Sequence, residues 1–177
     1  MRNAYVITGG PGFGKTSILT KLRKQGHNTS EELSRQFIQE QMEGKGTLLP
    51  WVDRLGYSEE MLRRRIHQFE RTPANELWFF DRGIPDLIAY MRKDRLDVPD
   101  IYHETTKKHR YQQIVFLTPP WEKIHVNDRE RLESFEEAKN IHAEIERTYT
   151  EVGYTCITLP KATVGEGVVF ILDLISN

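Results

Sequence analysis

The sequence predicts a doubly wound α/β domain on a five-stranded parallel sheet, and three observations carry that prediction. The apolar run Ala4-Tyr5-Val6-Ile7 leads into a glycine-rich loop, which a helical pattern follows. Continuous apolar runs recur at 77–80 and 114–117, as strands covered on both faces require. Between such runs the periodicity becomes that of amphipathic helices, and alternating strands and helices build parallel sheets.

Each element has its own warrant. The first strand covers Ala4–Thr8, and Ile18, Leu19 and Leu22 mark one side of a helix over Lys15–Lys24. A helix is expected over 31–41, with Leu33, Phe37 and Met42 as an approximate apolar stripe. The strand preceding it is poor, because Gly26-His27-Asn28-Thr29 has no apolar run. The stretch 44–57, with Gly, Pro and Trp, reads as a loop. Ser58 has the chemistry of an N-cap, with Glu59 and Glu60 in the first turn of a helix reaching about Arg71. Leu77-Trp78-Phe79-Phe80-Asp81 is a buried strand ending in an acid, followed by a helix over 84–92. The strand Ile114–Leu117 is closed by Pro119-Pro120.

Ser134 and Glu137 form a capping box for a long helix. Its apolar positions Ala138, Ile141, Ile145, Tyr149 and Val152 fall at steps of three and four. A strand over 154–159 and a helix over 165–175 complete the chain.

Composition narrows the functional classes. The 177 residues suit one domain over 1–177. Twenty-five basic and 26 acidic side chains give a net charge of −1, so no global field favours nucleic acid or an anionic membrane. A lone cysteine, Cys156, permits no intramolecular disulfide, and no apolar stretch approaches the ~18 residues a membrane span needs. With no charged and then apolar leader before the first strand, the expectation is a cytoplasmic protein. Oligomeric state is not legible.

The chemistry concentrates at residues 9–16, Gly-Gly-Pro-Gly-Phe-Gly-Lys-Thr, a complete G-x-x-x-x-G-K-[ST] motif. Gly9, Gly12 and Gly14 have no Cβ, so the backbone can take positive φ and turn its amides toward a phosphate chain. Gly10, Pro11 and Phe13 complete the cradle, and the helix N-terminus that includes Ser17 favours negative charge. Lys15 reaches the β- and γ-phosphates, and the Thr16 hydroxyl is a ligand for Mg²⁺. The expected ligands are ATP and Mg²⁺.

Asp81 stands where a buried strand delivers a carboxylate to that metal; the competing reading is an acid that caps the next helix. Motor and remodelling ATPases usually carry a glutamate at the following position to polarise water. Here it is Arg82, a cation that grips an acceptor or a transferring phosphoryl group. This favours transfer over simple hydrolysis.

The opening ITGGPGFGKT, the segment Glu31-Glu32-Leu33-Ser34-Arg35, FFDRGIPD with Ala89-Tyr90, and Thr-Leu-Pro before the closing helix resemble the NadR-type ATPase/kinase domains. These are P-loop proteins similar to nucleoside and nucleotide kinases, and the resemblance covers nearly the whole chain. It implies the strand order 2-3-1-4-5 and a mobile lid at about 121–133, with Arg129 and Arg131 placed for the transferring phosphate or the adenine ring. Asp128-Arg129-Glu130-Arg131 reads equally as a self-paired, solvated run. Glu32 and Arg35 match an acid and arginine near the end of the second strand, where the acid is a candidate general base. Glu31 and Glu32 also suit a helix's first turn. Lys161, in Pro160-Lys161-Ala162-Thr163, corresponds in position to an adenine loop.

Asp86 and Tyr90 lie one turn apart on the acceptor side, and Tyr90 reads equally as core. Trp51 and Trp121 are candidates for the acceptor cleft or lid, or for structural roles. Arg63-Arg64-Arg65 reads as a solvated face, because three consecutive helical residues cannot share one ligand; a phosphate-bearing acceptor is the sharper alternative. The six histidines show no ligand spacing. The leading expectation is a Mg²⁺-dependent phosphotransferase acting on a small-molecule acceptor, nucleoside-like molecules included. The competitors are an NTP hydrolase, a nucleotide switch or a binding module. No N-K-x-D motif is present, but the base preference stays open.

Overall fold

The computed structural model describes residues 2–124 and 133–176. Five strands, β1 (Ala4–Thr8), β2 (Asn28–Thr29), β3 (Trp78–Asp81), β4 (Ile114–Leu117) and β5 (Thr155–Thr158), form one sheet in the order β2-β3-β1-β4-β5. All four pairings are parallel. In the central register Ile7 lies opposite Asp81 on one side and Phe116 on the other.

Strand alternation divides the core. Ala4, Val6, Phe80, Val115 and Leu117 point to one face, packing on Ala89, Ile141, Ile145 and Tyr149. Those four belong to helices α4 (Ile84–Lys93) and α6 (Phe135–Glu151). Ile7, Phe79 and Phe116 point to the opposite face. There they meet Ile18, Leu19 and Leu22 of α1 (Lys15–Lys24) with Val168 and Ile171 of α7 (Val164–Ser176). A third cluster joins α2 (Leu33–Glu43), α3 (Arg54–Arg71), α4 and α5 (Asp100–Lys108) beyond the sheet edge.

Several boundaries differ from the sequence expectation. The α3 helix begins at Arg54, capped by Asp53, whose carboxylate accepts from the Gly56 amide at 2.9 Å. Ser58 therefore lies inside the helix, buried, and is not its cap. The glycine in the first turn hides the true start. The α2 stripe closes with Ile38, while Met42 is 58% exposed. The α5 helix was not anticipated, because its buried face carries Tyr102, Thr105 and Thr106 in place of an aliphatic stripe. Strand β2 is only two residues long, held by its register with β3. The Ser134–Glu137 box caps α6 reciprocally, with bonds of 2.7 and 3.3 Å. The lid expected at 121–133 lies mostly outside the described residues; within it, Glu122–Ile124 form a 3-10 turn. Among the described residues, no helix is long and apolar enough to cross a membrane.

Candidate functional site

The loop between β1 and α1 has the backbone its glycines permit. Gly9, Gly12 and Gly14 have φ of +138°, +75° and +83°. Gly14, in the left-handed region, is the N-cap of α1. Gly10 owes its identity to space: a Cβ there would come within 2.5 Å of the Ala138 carbonyl and 2.6 Å of the Phe13 ring. The Phe13 side chain is buried, with its ring centroid 5.8 Å from those of Phe135 and His142. Phe13 thus offers a ligand only its backbone. Lys15 is folded across the loop, donating to the carbonyls of Gly10 (3.1 Å) and Gly9 (3.4 Å).

Beside the loop, the end of β3 turns sharply into α4. Arg82 makes the corner at φ +66°, its amide donating to the Ile7 carbonyl at 3.1 Å. Its guanidinium donates to Asp86 (2.9 Å) and to the Gly9 carbonyl (3.1 Å) and lies over the Tyr90 ring, 5.3 Å from the centroid. Desolvation works against its charge, but Tyr90, Asp86 and Asp81 more than offset this and its pKa rises. Asp86 is a buried hub. It accepts from Thr8, Arg82, the Gly83 amide (2.8 Å) and the Tyr149 hydroxyl (2.7 Å). Burial alone would raise its pKa; Arg82, Arg65 and the Thr8 and Tyr149 bonds outweigh burial and hold it below the ordinary carboxylate value. Asp86 therefore fixes Arg82 against the phosphate loop.

Asp81 is held from below, its amide donating to Ser30 Oγ at 2.8 Å. Burial raises its pKa, and nearby Lys15 partly counters that. Among the described residues its carboxylate accepts no hydrogen bond, and no cluster of three or more His, Cys, Asp or Glu exists. So sparse an oxygen set would suit a hard cation bound mainly by phosphates and water, and Asp81 and the exposed Thr16 are the residues that would hold it. Mg²⁺ fits this chemistry; zinc does not.

A cavity of about 340 Å³ opens onto Pro11, Lys15 and Arg82. Glu32 and Arg35 from the start of α2 line it, with Glu32 Oε1 4.0 Å from Arg35 Nε. Glu32 is the N-cap of α2 but makes no capping bond. Trp51, 55% exposed, and Tyr57 form an aromatic side, and Tyr90 and Leu87 complete the α4 wall. On the other side of the loop, Thr16 and Ser17 share a second recess with Val164 at the start of α7. Lys161 lies in the exposed turn just before it. Arg129 and Arg131 lie outside the described residues.

The Arg63–Arg65 run divides three ways. Arg63 pairs with Glu60 on the surface, while Arg64 bridges Glu40 and Glu60 over the Phe37 ring. Arg65 is buried and faces the cavity. The solvated-face reading of the run therefore holds for Arg63 but not for Arg65, which shares one buried stripe of α3 with Ser58, Met61, Leu62 and Phe69.

A glycine loop that closes on a helix N-terminus, at the end of the central strand of a 2-3-1-4-5 sheet, defines a P-loop NTPase fold of the nucleoside- and nucleotide-kinase type. The chain belongs to an AAA domain family, whose model matches residues 4–166. No curated protein matches it. Among solved structures it is similar to a deoxyadenosine kinase from M. mycoides, in a structure with products dCMP and a flexible dCDP bound (TM-score 0.72, 16% identity, 98% of each chain covered). It is also similar to NadR in complex with NR (TM-score 0.75, 16% identity), covering 98% of this chain and 50% of that one. Shikimate kinase from Acinetobacter baumannii in complex with shikimate follows the same fold (TM-score 0.63, 18% identity, 99% and 93% covered). At such identities these likenesses establish the fold.

Proposed function

We propose that this protein is an ATP-dependent phosphotransferase that phosphorylates a small-molecule acceptor, nucleoside-like molecules among the candidates. The observation that carries this reading is the acceptor-sized cavity whose wall includes both Lys15 of the phosphate loop and Arg82 of the β3–α4 corner. A hydrolase needs only water at that place. A cavity of about 340 Å³ has room for a small organic molecule.

In this account the loop amides hold the triphosphate, and Lys15 exchanges its two carbonyl partners for phosphate oxygens. Arg82, already aimed by Asp86, faces the charge that develops on the transferring group. Where the accepting group is a hydroxyl, Glu32 is the carboxylate placed to take its proton. Mg²⁺ held by Thr16 and Asp81 would neutralise phosphate charge. Thr16, Ser17 and the turn with Lys161 are assigned to the nucleotide side. Positioning and preorganised charge supply the catalysis.

The test is ADP release from ATP with and without a panel of nucleosides and sugars, with products identified by mass spectrometry. Acceptor-stimulated release that yields a phosphorylated acceptor supports the proposal. Release at one slow rate whatever is added contradicts it, as does tight binding with no turnover.

A further inference from the structure

In the sequence Tyr149 is one apolar position in the stripe of α6, and in the structure it is fully buried within the core on that face of the sheet. Its hydroxyl nonetheless has a specific partner, donating to Asp86 Oδ2 at 2.7 Å. Burial, and then Asp86 itself, raise the Tyr149 pKa well above its ordinary value, so the phenol keeps its proton and remains a donor.

The donors on Asp86 divide between its two oxygens. Oδ1 accepts from Thr8 and from Arg82 Nη1, while Oδ2 accepts from the Gly83 amide and from Tyr149. Arg82 in turn engages the protein through Nη1 alone, which donates to Asp86 (2.9 Å), to the Gly9 carbonyl (3.1 Å) and, weakly, to Thr8 Oγ1 (3.5 Å). Among the described residues Nε and Nη2 form no hydrogen bond, and the side chain lines the cavity with Lys15. The guanidinium is thus anchored at one corner and open along another edge. Gly83 serves the same arrangement. Its φ of −119° suits any residue, yet a Cβ there would stand 2.5 Å from the Tyr149 hydroxyl oxygen and 3.0 Å from the Tyr111 ring. Glycine at 83 leaves room for the phenol that reaches Asp86.

From this arrangement we propose that Tyr149 is a positioning residue for phosphoryl transfer: by holding Asp86 Oδ2 it fixes the direction in which Arg82 presents its open edge to the cavity. The inference rests on the phosphotransferase reading and adds to it a residue of α6 that is not in the cavity wall. Without the phenol, Oδ2 keeps one donor at a site only 1% exposed, where solvent does not replace the other. The carboxylate then turns to share Arg82 between both oxygens, and Nη1 leaves the Gly9 carbonyl. A donor that has lost its aim stabilises the transition state less while ground-state binding is little changed.

The experiment compares wild type, Tyr149→Phe, Arg82→Ala and the double variant in acceptor-stimulated ADP release, with Mg·ATP affinity measured by calorimetry on the same proteins. Tyr149→Phe should lower kcat about three- to tenfold, as the loss of one hydrogen bond implies, with ATP affinity within about twofold of wild type. In the Arg82→Ala background the same substitution should have no further effect, because the group it positions is gone. A merely structural tyrosine would lower kcat by the same factor in both backgrounds. That result overturns the inference, as does an unchanged kcat in Tyr149→Phe. A second readout is independent of turnover. In nitrogen NMR spectra, anchoring at Nη1 slows rotation about the Arg82 Nε–Cζ bond, so Nη1 and Nη2 give separate signals, assigned by their absence from Arg82→Lys. In Tyr149→Phe this rotation should be at least about fivefold faster. An unchanged rate overturns the inference even where transfer is found. A wild type that transfers to no acceptor removes the kinase reading, and the NMR comparison then decides by itself whether Tyr149 aims Arg82.

Discussion

Replacing His142 with leucine should remove most of one component of acid sensitivity from the fold. His142 lies on α6 against Phe13, 7% exposed, and its Nδ1 has no hydrogen-bond partner among the described residues. Desolvation, assisted by the charge on Lys15, pushes its pKa from the ordinary 6.5 down to about 4. The unfolded chain therefore takes up this proton at a higher pH than the folded one. The stability is fully present above pH 6.5 and is lost as the pH falls toward 4. At pH 5.5 the linkage relation gives a loss of about 1.4 kcal/mol, equivalent to roughly 3–5 °C in Tm for a chain of this size.

Other groups titrate in the acid range. Asp81, whose pKa burial raises, works in the opposite sense, because the folded state binds its proton more readily. Asp86, held low, withdraws its stabilisation as pH falls through the ordinary carboxylate range. Urea denaturation of wild type and His142→Leu at pH 7.5 and 5.5 cancels these terms. The variant should lose about 1.4 kcal/mol less than wild type over that interval. Identical losses would refute the claim that His142 is held neutral behind the phosphate loop.

Two further outcomes follow from the Arg82 corner. Asp86→Ala leaves Arg82, Thr8, Gly83 and Tyr149 without their shared acceptor, and should lower unfolding stability by about 3–5 kcal/mol in denaturant titrations. A loss below about 1 kcal/mol would show that the hub is not holding the corner. Arg82→Ala should reduce kcat by roughly 10²–10³ with a smaller change in ATP affinity, measured by steady-state kinetics and direct binding. The reverse pattern would remove its role in transfer.

The parts of this molecule that local chemistry dictates were readable in the sequence. The phosphate loop is one, because three positive-φ glycines, a lysine and a helix start occupy fixed spacings. The strands β1, β3 and β4 are others, because residues covered on both faces read as continuous apolar runs. The capping box of α6 is decided by two side chains three residues apart.

What was not legible depends on distant parts. Strand β2 exists because its two residues fall into register with β3. Ser58 has the chemistry of a cap, yet Asp53 is the cap, since a glycine is tolerated in the first turn of α3. Asp86 became the organiser of Arg82 only when α6 brought Tyr149 and β1 brought Thr8 to it. The cavity is assembled from α2, the loop after it, α3 and α4, so its lining could not be ordered from the chain alone. Arg65 was hidden inside a run of three arginines; the stripe of its own helix was the signal that distinguishes it.

Calorimetric titration of Mg·ATP, and separately Mg·GTP, into wild type and Lys15→Ala tests the central claim most directly. The account predicts saturable binding of at least one triphosphate to the wild-type protein, weakened about ten- to a hundredfold in the variant. No association at millimolar triphosphate, or equal affinity in the two proteins, would contradict the assignment of the glycine loop as the nucleotide site.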